Sequence, residues 1–141
     1  MQYRKSGNTW TVRLDLGEDI IAQLKKLCED EGIRLGRVEA IGATDRAVIG
    51  VYDLEKKEYY PEEINEFMEI TSLNGNITAM DGKPYIHLHA TLADQRHAVH
   101  GGHVVEMRVG ATCEMFITVP EGEISRLRTP EESGCPSLDR P

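Results

Sequence analysis

The chain has 141 residues, with sixteen Lys and Arg against twenty-four Asp and Glu, for a formal net charge of −8. That length suits one globular domain, and a hydrophobic fraction of 40% is too high for a largely disordered chain. No run approaches the roughly 18 apolar residues of a membrane span, and the acid excess weighs against nonspecific affinity for phosphate backbones. Arg4 and Lys5 are followed by no apolar stretch, so the N-terminus does not read as a secretory signal. The three cysteines, Cys28, Cys113 and Cys135, lack CxxC spacing and fit a reducing cytosol better than a disulfide framework. A single-domain cytoplasmic protein with no membrane association is expected.

Trp10, Val12, Leu14 and Leu16 alternate with polar residues, which predicts a half-buried strand over 9–16, ended by Gly17. From 18 to 31 the apolar residues Ile20, Ile21, Leu24, Leu27 and Cys28 fall on one helical face. Glu18 and Asp19 suit the helix N-terminus, and Gly32 suits the position just past its end. The period then returns to two, predicting strands over 37–41, 46–53, 58–60, 67–80, 85–92, 104–109 and 113–119. The run 67–80 is long and contains Asn74-Gly75-Asn76, where a bulge or bend is expected. Asp81-Gly82-Lys83-Pro84 reads as a hairpin connection. Four of the six prolines lie at or beyond Pro120. The chain is therefore read as one domain over 1–128, with a last short strand near 124–127. An extended or loosely ordered tail over 129–141 follows. Hairpin-scale connections around one helix give an α/β fold of the α+β type: a strongly twisted, mainly antiparallel sheet with one principal amphipathic helix.

All five histidines lie at positions 87, 89, 97, 100 and 103. On a strand, residues i and i+2 share a face roughly 6.5–7 Å apart, so His87 and His89 project together. Ile86, Leu88, Ala90 and Leu92 form the opposite, apolar face. His103 follows Gly101-Gly102 at the start of the next predicted strand, where the glycines permit a sharp turn and a close approach. Three neutral imidazole nitrogens suit zinc or another divalent metal, with a fourth position open. The same pattern also describes polar residues on a solvated strand face. His97, His100 and His103 form a competing HxxHxxH set, although the first two fall in a presumed loop.

Other positions are less suggestive. Cys113 alternates within an apolar strand, Cys28 lies on the apolar helix face, and Cys135 lies in the tail; none has a visible activating partner. Glu55, Glu58, Glu62, Glu63, Glu66 and Glu69 form an acidic stretch that reads as a solvated face. Neither a GxGxxG nor a GxxxxGK[ST] phosphate loop occurs, and there is no Ser-centred nucleophile elbow.

Met68-Glu69-Ile70-Thr71-Ser72-Leu73-Asn74-Gly75-Asn76-Ile77, Asp81-Gly82-Lys83-Pro84, His87-Leu88-His89-Ala90-Thr91-Leu92 and Gly101-Gly102-His103 together resemble the PPC domain. The name stands for plants and prokaryotes conserved, and the resemblance covers about residues 5–128. It implies a compact domain assembled as a homotrimer, and a metal, commonly zinc, on His87, His89 and His103. Nothing transfers to His97 or His100, and Glu106 and Glu114 match acidic positions without an assigned role. The Arg-Gly-Arg-Pro hook that gives plant members minor-groove contact is absent from this sequence.

Three functions follow as expectations. The first is a homotrimeric metal-bearing module that binds a small-molecule ligand or a protein partner without catalysis. The second is an enzyme in which the metal activates water, although no general acid or base is placed beside it by the sequence. The third is a DNA-associated regulator by analogy with plant relatives, which conflicts with the net charge and the missing hook. Only Arg96 with Arg108, or Arg126 with Arg128, offers a local basic pair. The first reading is preferred, with no catalytic residue assigned.

Overall fold

A computed structural model of the chain describes residues 1–127 and 137–138. Among these residues are nine strands and one helix: β1 (Gln2–Ser6), β2 (Thr9–Asp15), α1 (Ile20–Asp30), β3 (Gly36–Asp53), β4 (Glu58–Ile64), β5 (Met68–Met80), β6 (Lys83–Ala93), β7 (Val99–Thr118), β8 (Ser125–Leu127) and β9 (Ser137–Leu138). Every pairing is antiparallel except the short contact of β5 with β8. The α+β expectation holds.

The helix forms where its apolar stripe predicts. Ile20, Leu24, Leu27 and Cys28 are buried, and Ile21 packs at the margin of the same core. Each large side chain buried this way stabilises the fold by about 1.5–3 kcal/mol relative to leaving it exposed. Asp19 caps the helix, its carboxylate accepting from the Ala22 amide at 2.7 Å. At the other end Gly32 takes φ 67°, and the Ile33 amide donates to the Cys28 carbonyl at 2.9 Å, closing a Schellman turn. The helix packs on β6 and β7.

The pairings β3–β5, β5–β6, β6–β7 and β7–β3 close a ring of strands around the apolar core. β4 and β6 extend beyond their predicted ranges, and two other strands each join two predicted ones. The pairs 37–41 with 46–53, and 104–109 with 113–119, are each one continuous strand, β3 and β7. The breaks expected between them are register shifts near Gly42, Thr44 and Arg46. There the buried Thr44 hydroxyl lies 2.9 Å from the Arg46 carbonyl and 2.8 Å from the Arg108 carbonyl, serving groups the shifted ladder leaves out. β1 was not anticipated, because all five of its residues are exposed and no apolar alternation marks it.

Two further expectations change. The bend foreseen at Asn74-Gly75-Asn76 lies earlier, since the β5–β6 register shifts between Ile70 and Ser72 and is regular through 72–80. Gly75 answers a different need: a Cβ there would sit 1.9 Å from the His87 carbonyl oxygen. The hairpin joining β5 to β6 is the two-residue turn Asp81-Gly82, with φ 53° and 73°, as a type I′ turn requires. The expected strand near 124–127 is β8. Of the predicted tail, residues 129–136 and 139–141 lie outside the described residues, while Ser137–Leu138 pairs with β8.

Candidate metal centre

β6 sorts its side chains by alternation. Leu88, Ala90 and Leu92 are buried, and His87 and His89 emerge on the other face. Across the ladder His89 stands directly opposite His103 of β7. Directly paired residues hold their Cβ atoms about 4.5–5.5 Å apart. The three imidazole rings form a triangle, with centroids 5.2 Å apart for His87–His89, 5.0 Å for His87–His103 and 5.4 Å for His89–His103. One nitrogen from each lies within 4.8 Å of the other two. Nitrogens about 2.0–2.1 Å from a tetrahedral ion stand about 3.3 Å apart, so small side-chain rotations bring all three onto one cation.

The glycines before His103 make no turn, in contrast to the sequence expectation; both lie inside β7. They act by close approach instead. A Cβ on Gly102 would lie 2.8 Å from the Gly50 carbonyl oxygen, and one on Gly101 would lie 3.0 Å from that of Ala90. β3, β6 and β7 therefore meet closely at the level of the histidines.

Two of the tyrosines complete the surroundings. Tyr59 of β4 lies against Gly50, where an added Cβ would come within 2.4 Å of its ring, and meets His103 edge-on at 6.2 Å. Tyr85, two residues before His87, meets that ring at 6.4 Å. Behind Tyr85 sits Arg126, only 9% exposed, with its guanidinium carbon 4.8 Å from the Tyr85 ring centroid. Its Nε donates to the Thr78 hydroxyl at 2.8 Å and its Nη2 to the Asn76 side-chain carbonyl at 3.0 Å. The histidines, Tyr59 and Tyr85 border a cleft of about 490 Å³ whose walls include Val51 and Val105.

Burial, then the neighbouring His103 and His89 and finally Arg126, push the His87 pKa down to about 4. Burial, followed by His89, also lowers that of His103. Both side chains therefore favour the neutral form that a metal requires. Burial raises the Tyr59 phenol above its usual value, keeping it protonated.

The competing histidine set does not assemble. His97 is exposed in the turn after β6 with φ 64°, beside Asp94, whose carboxylate accepts from the Arg96 and Ala98 amides at 2.8 and 2.9 Å. His100 is not a loop residue as expected; it lies in β7 opposite Leu92. Residues three apart on a strand face opposite sides, so HxxHxxH cannot converge here. Among the described residues only His87, His89 and His103 form such a group. Among the described residues no carboxylate lines the cleft, and Glu63 and Glu106 each lie 3.0 Å from Arg46. Cys28 and Cys113 are buried, with thiols pushed up to about 12 by burial, and behave as small hydrophobes. Cys135 lies outside the described residues.

The sequence reading missed Tyr59 and Arg126. Tyr59 was absorbed into an acidic strand, and Arg126 was counted with a surface basic pair. Tyr85 carried a legible signal, its i,i+2 spacing to His87.

Solved proteins share this fold. A metal-containing protein from Archaeoglobus fulgidus superposes with a TM-score of 0.87 at 37% identity, covering 99% of each chain. A protein from Bacteroides thetaiotaomicron, named provisionally as DNA-binding, gives a TM-score of 0.93 at 28% identity over 98% of this chain and 96% of that one. The bifunctional protein GlmU of Synechococcus is 30% identical over 96 residues, 67% of this chain, but the match spans only 14% of its length. Residues 1–120 match the Plants and Prokaryotes Conserved (PCC) domain, and the chain belongs to that family.

Proposed function

We propose that the protein is a homotrimeric, cytoplasmic metal-binding module in which His87, His89 and His103 hold one divalent ion, zinc, beside a cleft for a small ligand. The observation that carries this reading is the triangle of imidazoles, with one nitrogen each within 4.8 Å, opening on a cleft of about 490 Å³. Three nitrogen donors suit zinc and leave a position open. When bound, the ion supplies a Lewis-acidic centre to whatever occupies that position. Binding is favoured over catalysis because no carboxylate among the described residues lines the cleft. Cys28 and Cys113 are free rather than paired, as suits a reducing compartment, and among the described residues no helix is long and apolar enough to cross a membrane.

Protein purified without chelator is expected to carry about one zinc per chain by elemental analysis. His87 and His103 both titrate below the ordinary imidazole range, so protons compete late. Zinc loss should set in as the pH falls below about 6, because every ligand must be neutral to coordinate. Folded protein that lacks metal and takes up none would overturn the reading.

Trimer formation is supported by apolar residues that one helix leaves uncovered: Ile41 is 60% exposed, Phe116 56% and Phe67 42%. Ile41 borders one hollow with Phe67 and a second with Phe116, so these apolar side chains lie on neighbouring surface, edged by Glu39, Glu69 and Glu114. Light scattering at micromolar concentration should give three times the 15.8 kDa chain mass; a monomer mass refutes the trimer.

Nucleic-acid affinity is expected to be negligible at physiological salt. Arg108 is held by Asp45 at 2.8 and 3.0 Å, Arg96 lies 3.6 Å from Asp94, and Arg126 is buried. Arg128, its supposed companion, lies outside the described residues. Tight, salt-sensitive binding to duplex DNA in a filter or anisotropy assay would contradict this.

A further inference from the structure

The cleft beside the histidines has an unusual charge balance. Of the ten residues that line it, none is Asp, Glu, Lys or Arg. Neutral imidazoles bring no charge to an ion, so a divalent cation held there keeps its full double charge at an apolar wall. Many sites balance part of such a charge with Asp, Glu or Cys ligands, whereas a three-His ion is completed from its open position. Here an anion in that position supplies the compensation that the lining does not.

The remainder of the wall says what kind of anion fits. Val51 and Val105 are 62% and 43% exposed, an apolar surface that a hydrated inorganic anion would not use. Tyr59 adds an aromatic face held against Gly50 and a phenol hydroxyl that can donate. Among the described residues no Arg or Lys lines the cleft itself to offer the fork or point charges that a phosphate group usually meets. Arg126 lies behind Tyr85, and Lys25 and Lys83 border the adjoining hollow.

We infer that the ligand is a small carboxylate with an apolar body, its carboxylate on the ion at His87, His89 and His103 and its apolar part against Val51, Val105 and Tyr59. This rests on the metal reading above. The carboxylate supplies the negative charge that the donor set lacks, and the valine walls reward an aliphatic or aromatic substituent. A neutral analogue of the same shape gains only the apolar contact. An inorganic anion gains only the charge.

The test uses the full chain loaded with cobalt(II), whose visible absorption reports a change of ligand. Elemental analysis of the loaded protein comes first. The probes are acetate, isobutyrate, isobutyramide and inorganic phosphate. Isobutyrate is expected to shift the cobalt bands about tenfold more tightly than acetate, the effect of burying roughly two further methylene-sized groups. Isobutyramide should produce no shift over the same concentrations, and phosphate should bind no more tightly than acetate. Val105→Asp places a fixed carboxylate in the cleft at an exposed position; this variant should keep its cobalt and lose the isobutyrate response. A chain that takes up no cobalt overturns the metal reading and this inference with it. Full cobalt loading with isobutyramide as effective as isobutyrate, or with acetate or phosphate as tight as isobutyrate, overturns the inference alone. So does a Val105→Asp variant that still answers isobutyrate as the parent does.

Discussion

His89→Ala alone is expected to remove most of the zinc, and adding His87→Ala should change little more. The three imidazoles form one site, with ring centroids 5.0–5.4 Å apart, so the first loss destroys the shared donor set. Outer-shell partners of metal ligands are typically worth about 10–100-fold in affinity, and a ligand itself should exceed that. The two substitutions should therefore be strongly non-additive. His89 is the best single choice because its side chain is exposed and its removal leaves no core cavity. His97→Ala and His100→Ala are the controls and should leave occupancy intact, since neither reaches the triangle. Elemental analysis with parallel thermal melts separates metal loss from unfolding. Loss of zinc in the controls, with retention in His89→Ala, would move the site to the loop side of β7.

Gly75→Ala is expected to be the most damaging small substitution in the chain. The new methyl would lie 1.9 Å from the His87 carbonyl oxygen, 2.9 Å from its carbonyl carbon and 2.8 Å from Leu88 Cδ2. Two of these three atoms are backbone, so no rotamer change relieves the clash and β5 and β6 must separate. Overpacking a well-ordered core costs about 1–3 kcal/mol, and a backbone clash between central strands should reach about 3 kcal/mol or more. For a domain of this size the midpoint of thermal unfolding should fall on the order of 10 °C. Because the displaced backbone belongs to His87, zinc affinity should fall as well. Gly82→Ala provides the contrast: nothing lies within 4 Å of an added Cβ, and only the φ of +73° opposes it. Its cost should stay near 1 kcal/mol. A Gly75→Ala protein melting with the parent would show that β6 is not held against β5 as described.

Features carried by neighbouring residues were legible in the sequence. Alternation through Trp10, Val12 and Leu14 specified β2, and the spacing of Ile20, Leu24, Leu27 and Cys28 specified the buried face of α1. Gly32 announced the helix end, and Asp81-Gly82 the tight hairpin turn. The shared face of His87 and His89 also follows from the pleat alone, because side chains two residues apart on a strand must point the same way. Tertiary structure decided which strands meet. His103 joins the pair because the β6–β7 register sets it opposite His89, fourteen positions away, and no local pattern encodes that register. The continuity of β3 and β7 comes from register shifts in their pairing, where the Thr44 hydroxyl of β3 reaches the Arg108 carbonyl of β7 at 2.8 Å. Tyr59 reaches His103 through the turn that folds β4 back on β3, and buried Arg126 reaches Tyr85 from a strand beyond Pro120. A period of two fixes the face of a side chain within its own strand. Close approach, strand pairing and the neutral state of His87 depend on atoms supplied from elsewhere in the chain, and these exist only once the strands have closed around the core.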